Sequence, residues 1–362
     1  MKISIIQPRE LGPSEITAWH AMQRATSSLA NPFLSPEFAI AAGAARPDSR
    51  VAMLIDGHAI IGYFPFEKRR FSVGVPLCGW LSACQGVIHA PGAQWDARWL
   101  LRDCGLAVWK FDNLLPGQES FAQYRACVSP LPVIDLGGGF DKYYKDIRTR
   151  SRHLGRELER KTRKLSRDAG DLRVDTDARN IDVLRMLMAW KSEQYQRTNN
   201  VDRFRGPWIR GLLERLLATR TSYLAGQLSV LYAGENPVAI QFGLRAEDIV
   251  VGWFTGYSPD FARYSPGLIH LMYMAQDLAK SGVCSIHMGT GAGKYAEPLK
   301  SYDILMGRGA VTSRSVIGLA HHALDLGGRR ALSVVRSHPS LHNAADWVLC
   351  RSGVASRTYG RL

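Results

Sequence analysis

Tyr257-Ser258-Pro259-Asp260-Phe261-Ala262-Arg263-Tyr264-Ser265-Pro266-Gly267-Leu268 is the stretch on which the reading of this chain turns. It leaves a β-type apolar run and passes through Pro266-Gly267 into Leu268 to Lys280, whose apolar residues recur at helical spacing. A helix start offers unpaired backbone N–H groups and the positive end of a dipole, and small residues let a pyrophosphate approach that backbone closely. The same residues equally satisfy an ordinary helix start, with Ser265 as cap and Pro266 in the first turn. Taken alone, the stretch leaves both readings open.

Its surroundings set the fold class. Upstream lies a three-stranded meander: Ser222 to Ala233, the turn Gly234-Glu235-Asn236-Pro237, Val238 to Arg245, the turn Ala246-Glu247-Asp248, and Ile249 to Tyr257. Before it the spacing predicts a helix from Ile181 to Arg197, burying Ile181, Leu184, Leu187, Met188 and Tyr195, and another from Trp208 to Ala218. Still earlier, Tyr143 to Asp168 reads as one long helix with a narrow seam of Ile147, Leu154, Leu158 and Leu165. Arg148, Arg152, Arg156, Arg160, Arg163 and Arg167 step along one side of it, as a solvated face or as an electropositive wall beside an anionic ligand. Downstream, Val283 to Met288 is a short strand. The order is helix, helix, meander, helix, strand.

The first part of the chain holds a second meander. Val51 to Asp56 and Ala59 to Glu67 flank the turn Asp56-Gly57-His58, Phe71 to His89 continues the β pattern, and Pro130 to Gly139 reads as a closing strand and linker. The boundaries fall at 1–139, 140–312 and 313–362. In the last segment Val316, Leu319, Ala323 and Leu326 mark a helical tail packed on the core, with an amphipathic surface binder as the alternative.

A chain of 362 residues, 46% hydrophobic and 22% charged with nine Trp, has material for two ordinary cores. Its formal charge of +14 favours anionic company: nucleotide phosphates, acidic polysaccharide, nucleic acid or an anionic leaflet. Cys78, Cys84, Cys104, Cys127, Cys284 and Cys350 form no Cys-x-x-Cys pair and sit in apolar stretches, which suits buried, reduced thiols. The first residues turn polar before a signal-peptide core is complete, so the cytoplasm is the expected compartment.

Gly289-Thr290-Gly291-Ala292-Gly293-Lys294 fails as a Walker loop, with Met288 and Tyr295 where Gly and Ser or Thr are needed, and fails as a dinucleotide fingerprint at Lys294. His321-His322, His338 and His342 lack companion ligands at metal spacing, so no metal is expected. No nucleophile elbow or triad is present, and covalent catalysis is not indicated.

The order of elements and several words resemble the GNAT-type acetyltransferases of the CelD group, linked to bacterial cellulose and other polysaccharide biosynthesis. The words are Gly79-Trp80-Leu81-Ser82-Ala83-Cys84-Gln85-Gly86-Val87-Ile88, the Arg-rich segment from Arg152 to Leu165, Trp190-Lys191 with Gln194-Tyr195, and Arg263-Tyr264-Ser265-Pro266-Gly267. His287-Met288-Gly289 and Tyr295-Ala296 depart from the group's Asp-x-Gly-x-Gly and Tyr-Lys.

The resemblance implies an α/β (α+β) fold of two GNAT-like halves with mixed sheets, the first degenerate. It also implies acyl transfer, chiefly acetyl, from acyl-coenzyme A to an amine or hydroxyl of a saccharide or cell-envelope precursor. Tyr257, Arg263, Tyr264, Ser265, Gly267 and Leu268 would bind the co-substrate. Tyr295 would be the acid, His287 or Glu297 the base, and Arg152, Arg156, Lys191, Tyr195, Gln241 and Trp253 would contact the acceptor.

The expected partners are the saccharide or other small acceptor and the cytoplasmic face of a membrane-bound polysaccharide synthase, with the protein peripheral at the inner membrane. The tandem halves also resemble FemAB-like aminoacyl transferases, for which aminoacyl-tRNA would be the donor. A non-catalytic role in a polysaccharide synthase assembly is the third reading.

Overall fold

The computed structural model describes residues 1–289 and 293–313, and the expected tail, with His321, His322, His338, His342 and Cys350, lies outside them. The strands are β1 (Lys2–Ile6), β2 (Ser49–Asp56), β3 (Ala59–Arg69), β4 (Val73–Val75), β5 (Ile88–His89), β6 (Val108–Leu114), β7 (Arg125–Asp135), β8 (Leu172–Asp175), β9 (Ala225–Ala233), β10 (Asn236–Ala246), β11 (Ile249–Tyr257), β12 (Ser285–His287) and β13 (Tyr302–Thr312). The helices are α1 (Pro13–Ala25), α2 (Pro36–Ala45), α3 (Ala97–Asp103), α4 (Phe140–Arg150), α5 (Arg152–Ala169), α6 (Ile181–Arg197), α7 (Pro207–Ala218) and α8 (Pro266–Lys280).

The described strands join one mixed sheet in the order β1-β2-β3-β4-β6-β13-β7-β12-β11-β10-β9-β8, with β5 beside β3. Residues on both sides of Gly139 build its centre. β12 pairs antiparallel with β7, and the late strand β13 inserts between β6 and β7. The predicted meander is present as β9, β10 and β11, and the Asp56-Gly57-His58 turn closes β2 onto β3.

Both faces are covered. On one, α1, α2, α6 and α7 bury Trp19, Phe38, Leu187 and Leu212 against sheet residues such as Tyr63, Leu131, Phe242 and Val251. On the other, α4, α5 and α8 cover Ile134, Val250 and Ile286 in the second half, and α3 covers Phe64, Phe66 and Trp109 in the first. Each large apolar side chain so buried contributes about 1.5–3 kcal/mol. Aromatic contacts tie the halves together: Phe33 meets Trp253 edge-on at 4.9 Å, and His20 stacks on Tyr223 at 3.5 Å.

Three sequence expectations are corrected. The single helix from Tyr143 to Asp168 is two, because Ser151 leaves helical geometry (φ −143°) and its hydroxyl accepts from Leu154 N, restarting the chain as α5. The run from Phe71 to His89 is mostly tight turns, since Phe71, Ser72 and Cys78 take positive φ and pairing is confined to β4, β5 and a single bridge from Gln85 to Leu114. Cys78, Cys84 and Cys104 are buried, but Cys127 and Cys284 are exposed, Cys127 on the outer face of β7 and Cys284 at the entry to β12.

Candidate active site

The sheet opens where β11 and β12 part. They run parallel and pair only over Ile249–Val251 and Ser285–His287. Beyond His287, Met288 N donates to Pro132 O at 2.9 Å, so the chain leans towards β7 and away from β11. Gly289 then turns at φ +84°. The edge of β11 from Trp253 to Tyr257 therefore borders a wedge without a β12 partner, whereas at Gly252 the two segments still touch, a Cβ on Gly289 standing 3.4 Å from Gly252 O. A bulge beside it, where Phe242 faces Phe254 but Gly243 faces Gly252, adds Trp253 as an extra residue and further disturbs the ladder.

The mouth of the wedge is the stretch that decided the fold. β11 ends at Tyr257, a short 3-10 turn spans Pro259–Tyr264, and α8 begins at Pro266. Ser265 sits in the left-handed region (φ 55°, ψ 52°) and its side chain does not cap α8, contrary to the ordinary-cap reading. Lys161 Nζ instead donates to Ser265 Oγ at 2.8 Å. Arg263 donates to Tyr264 Oη (2.6 Å), which donates to Asp168 (2.8 Å), and Lys164 lies 5.9 Å from the Tyr264 ring centre. The Tyr264 hydroxyl and Arg167 hold the Asp168 carboxyl below its usual range. A Cβ built on Gly267 would meet nothing within 4 Å, so the first turn of α8 is open. Lys161 also pairs with Glu157 at 2.7 Å, and these cations, a helix N-terminus and an open glycine are features that suit a pyrophosphate.

Inside the wedge stands His287. Its neighbour Ile286 packs in the α8-side core, while Val251, its register partner, packs in the α6-side core; strand alternation thus turns the imidazole towards α6. It is 7% exposed, its Nδ1 has no hydrogen-bond partner, and burial lowers its pKa to about 4, so the ring is neutral at pH 7. Gln241 and Thr255 face one another across β10 and β11, Thr255 Oγ1 donating to Gln241 Oε1 at 3.3 Å.

The other expected residues fall in different places. Tyr295 is 56% exposed and, where packed, desolvation raises its phenol pKa. Glu297 is exposed and pairs with Lys300 at 2.8 Å, and Lys300 also holds Asp303. Tyr295, His287 and Glu297 are not hydrogen-bonded to one another. Arg152 and Arg156 are exposed on α5, away from the seam. Trp253 packs among Phe33, Phe38, Phe242 and Phe254, and Leu268 packs against the α8-side core. Tyr257 borders a small recess with Trp190, Gln194 and Pro259, and Lys191 and Tyr195 lie side by side on α6.

Lys161 and Lys164 did not stand out in the sequence. Their signal was position: Lys161 falls three residues after Leu158 and four before Leu165, a cation on the apolar seam of α5. A groove of about 330 Å³ also lies between α4, α5 and α8, lined by residues such as Phe140, Leu158, Met272 and Tyr273, and it contains none of the wedge residues. Among the described residues no cluster of His, Cys, Asp and Glu could hold a metal ion, and no helix is long and apolar enough to cross a membrane.

Residues 151–297 match the family described as the acetyltransferase (GNAT) domain, Acetyltransf_6. That span contains α5, the meander, the wedge and α8. No curated protein matches the chain. Among solved structures, the chain is similar to the C-terminal domain of an Agrobacterium fabrum protein named as a lysylphosphatidylglycerol synthetase, with 13% identity, TM-score 0.53, and 87% of this chain and 97% of that one covered. It is similar to FemX at 8% identity and TM-score 0.50, over 72% of this chain and 87% of that one. A tandem GNAT protein from clavulanic acid biosynthesis aligns at 10% identity and TM-score 0.47, covering 86% and 98%. Residues 151–297 thus match the GNAT acetyltransferase domain model, and they are built into a mixed α/β fold that continues through both halves of the chain.

Proposed function

We propose that the chain transfers an acyl group, acetyl in the first instance, from acyl-coenzyme A to an amine or hydroxyl of a saccharide or cell-envelope precursor. The GNAT domain match supports a GNAT-family acyltransferase. The observation that carries the reading is the junction of wedge and cradle. The strand edge from Trp253 to Tyr257 leads to the open helix start, where Lys161 holds Ser265 and Lys164 and Arg263 flank the adjacent Tyr264.

Acyl-coenzyme A supplies a thioester, an acyl group already activated for attack. Lys161, Lys164 and Arg263 would neutralise its pyrophosphate, while the N–H groups of the first turn of α8 point at the same oxygens. The unpaired edge of β11 gives the remaining chain of the co-substrate a strand-like partner. That would hold the thioester in the wedge and exclude the alternative poses a free thioester samples.

His287, neutral and unpartnered at Nδ1, would accept the proton that the acceptor loses as its nitrogen or oxygen bonds to the acyl carbon. The carbon–sulfur bond then breaks, and the departing sulfur takes a proton from Tyr295, whose raised pKa keeps the phenol protonated. Glu297, held by Lys300 in solvent, is the weaker candidate for base. A place in polysaccharide synthesis, on the cytoplasmic side of the membrane, is supported by the resemblance of Gly79–Ile88 and Trp190–Tyr195 to the CelD group.

Calorimetric titration with acetyl-coenzyme A tests the cradle. R263Q and K161M should each weaken binding by roughly tenfold, the loss of one charge-assisted contact. Equal affinity in both variants would remove the proposed cradle. Selective binding of tRNA with no binding of coenzyme A would favour aminoacyl transfer instead.

A further inference from the structure

Trp80 is 41% exposed, unusual for the largest apolar side chain, and the turn that carries it is costly to build. Cys78 and Gly79 both stand at positive φ (58° and 59°), and for Cys78 the left-handed region is strained. The turn is anchored from beneath. Cys78 N donates to Glu67 Oε1 at 2.7 Å, and the fully buried Glu67 also binds Arg46 and Arg69 at 3.3 Å each. A buried carboxylate paired with two partly exposed arginines and a strained backbone thus hold an indole at the surface.

One cation from the other half of the chain faces it, and a second stands beyond Tyr195. The Arg203 guanidinium lies 4.2 Å from the Trp80 ring centre and 5.7 Å from that of Tyr195. Lys191 Nζ lies 5.0 Å from the Tyr195 ring centre and donates to Gln194 at 2.8 Å. Among the described residues neither cation is in an ion pair. The neighbouring acid, Asp202, accepts from Ser192 Oγ (3.1 Å) and Phe204 N (2.9 Å) through Oδ1 and is in an ion pair with neither cation. Burial, with Arg203 alongside, lowers the Lys191 pKa to about 8. Lys191 projects from α6, the helix layer towards which His287 turns.

We propose that Trp80, Lys191, Tyr195 and Arg203 form the acceptor subsite and that the acceptor is an anionic sugar. The apolar face of the ring packs on the indole, and a phosphate or carboxylate substituent neutralises the two cations. A neutral sugar would leave both charges desolvated and unpaired. The subsite exists only because the halves share a sheet: the first supplies the platform, the second the charges. It deepens the acyl-transfer reading and rests on it for the word acceptor, while binding at the subsite is separately measurable.

The test is calorimetric titration of the full chain, with coenzyme A already present, using glucose 1-phosphate, glucuronate and glucose as probes. Glucose 1-phosphate, glucuronate or both should bind at least about tenfold more tightly than glucose, and whichever binds identifies the anion as phosphate or carboxylate. R203Q and K191M should each reduce that affinity about tenfold or more, W80A likewise, with W80F retaining most of it. Acetyl-coenzyme A affinity should be unchanged in all of them, and cooperative unfolding like that of the parent checks their folding.

Equal affinity for all three probes overturns the proposal. So does binding that R203Q spares and R263Q abolishes, which would place the anion in the helix cradle. If acetyl-coenzyme A fails to bind while R203Q-sensitive sugar binding persists, the subsite stands and the acyl-transfer reading falls.

Discussion

At the scale of single residues, the proposed chemistry rests on His287. A neutral imidazole with a folded-state pKa of about 4 is a competent proton acceptor across the neutral range, and activity should fall only as pH drops through that value. The acidic limb of kcat/KM is therefore expected near pH 4, well below the 6.5 of a solvated histidine; a limb at 6.5 would assign the base elsewhere. H287Q should lower kcat about 100-fold while leaving the affinity for acetyl-coenzyme A unchanged.

Stability carries the same signature. Because the unfolded ring binds its proton at higher pH than the folded one, His287 contributes stability that is complete above pH 6.5 and is lost as pH falls towards 4. His270, buried against Ser229 at 2.7 Å with its pKa lowered to about 3, acts in the same direction. Urea midpoints between pH 7 and 4 should fall less steeply for H287Q than for the parent.

At the scale of elements, the start of α8 separates structure from function. Gly267 has ordinary backbone angles and an open Cβ position, so G267A should stabilise the helix by about 0.5–1 kcal/mol. The same methyl group would stand where a pyrophosphate must approach. Melting temperature should rise while acetyl-coenzyme A affinity falls by about tenfold or more. A rise in both would mean that the first turn has no phosphate to admit.

This element also measures what sequence could tell. Pro266-Gly267 after a strand declared both the helix start and its openness, because those properties are local. The cations that complete the cradle come from α5, about a hundred residues earlier. Only the packing of α5 on α8 brings Lys161 to Ser265, and no spacing rule reaches that far. Trp80 and Arg203 remained silent for the same reason, being far apart in the chain and adjacent only across the sheet. The break at Ser151 was missed, because the apolar seam continues on either side of it and masks the serine cap.

For the whole molecule, the shared sheet is the decisive feature. The meander and its helices were readable as a unit, because their periodicities and turns are local, but the insertion of β13 between β6 and β7 was not. That insertion has a consequence for dissection. A fragment of residues 140–313 would leave β13 without either neighbour and β12 without β7, exposing long unpaired edges. Expressed alone it should be insoluble or lack cooperative unfolding by circular dichroism, and co-expression with residues 1–139 should restore both. Independent cooperative folding of the fragment would show that the continuous sheet is dispensable.

The most direct measurement is a crystal structure of the full chain with acetyl-coenzyme A. The pyrophosphate is expected on the backbone of Ser265 to Leu268 with Lys161 and Arg263 around it, and the sulfur between the free edge of β11 and His287. Density for the ligand in the groove between α4, α5 and α8, or its absence from a crystal grown at saturating concentration, would contradict an acyl-coenzyme A site in the wedge.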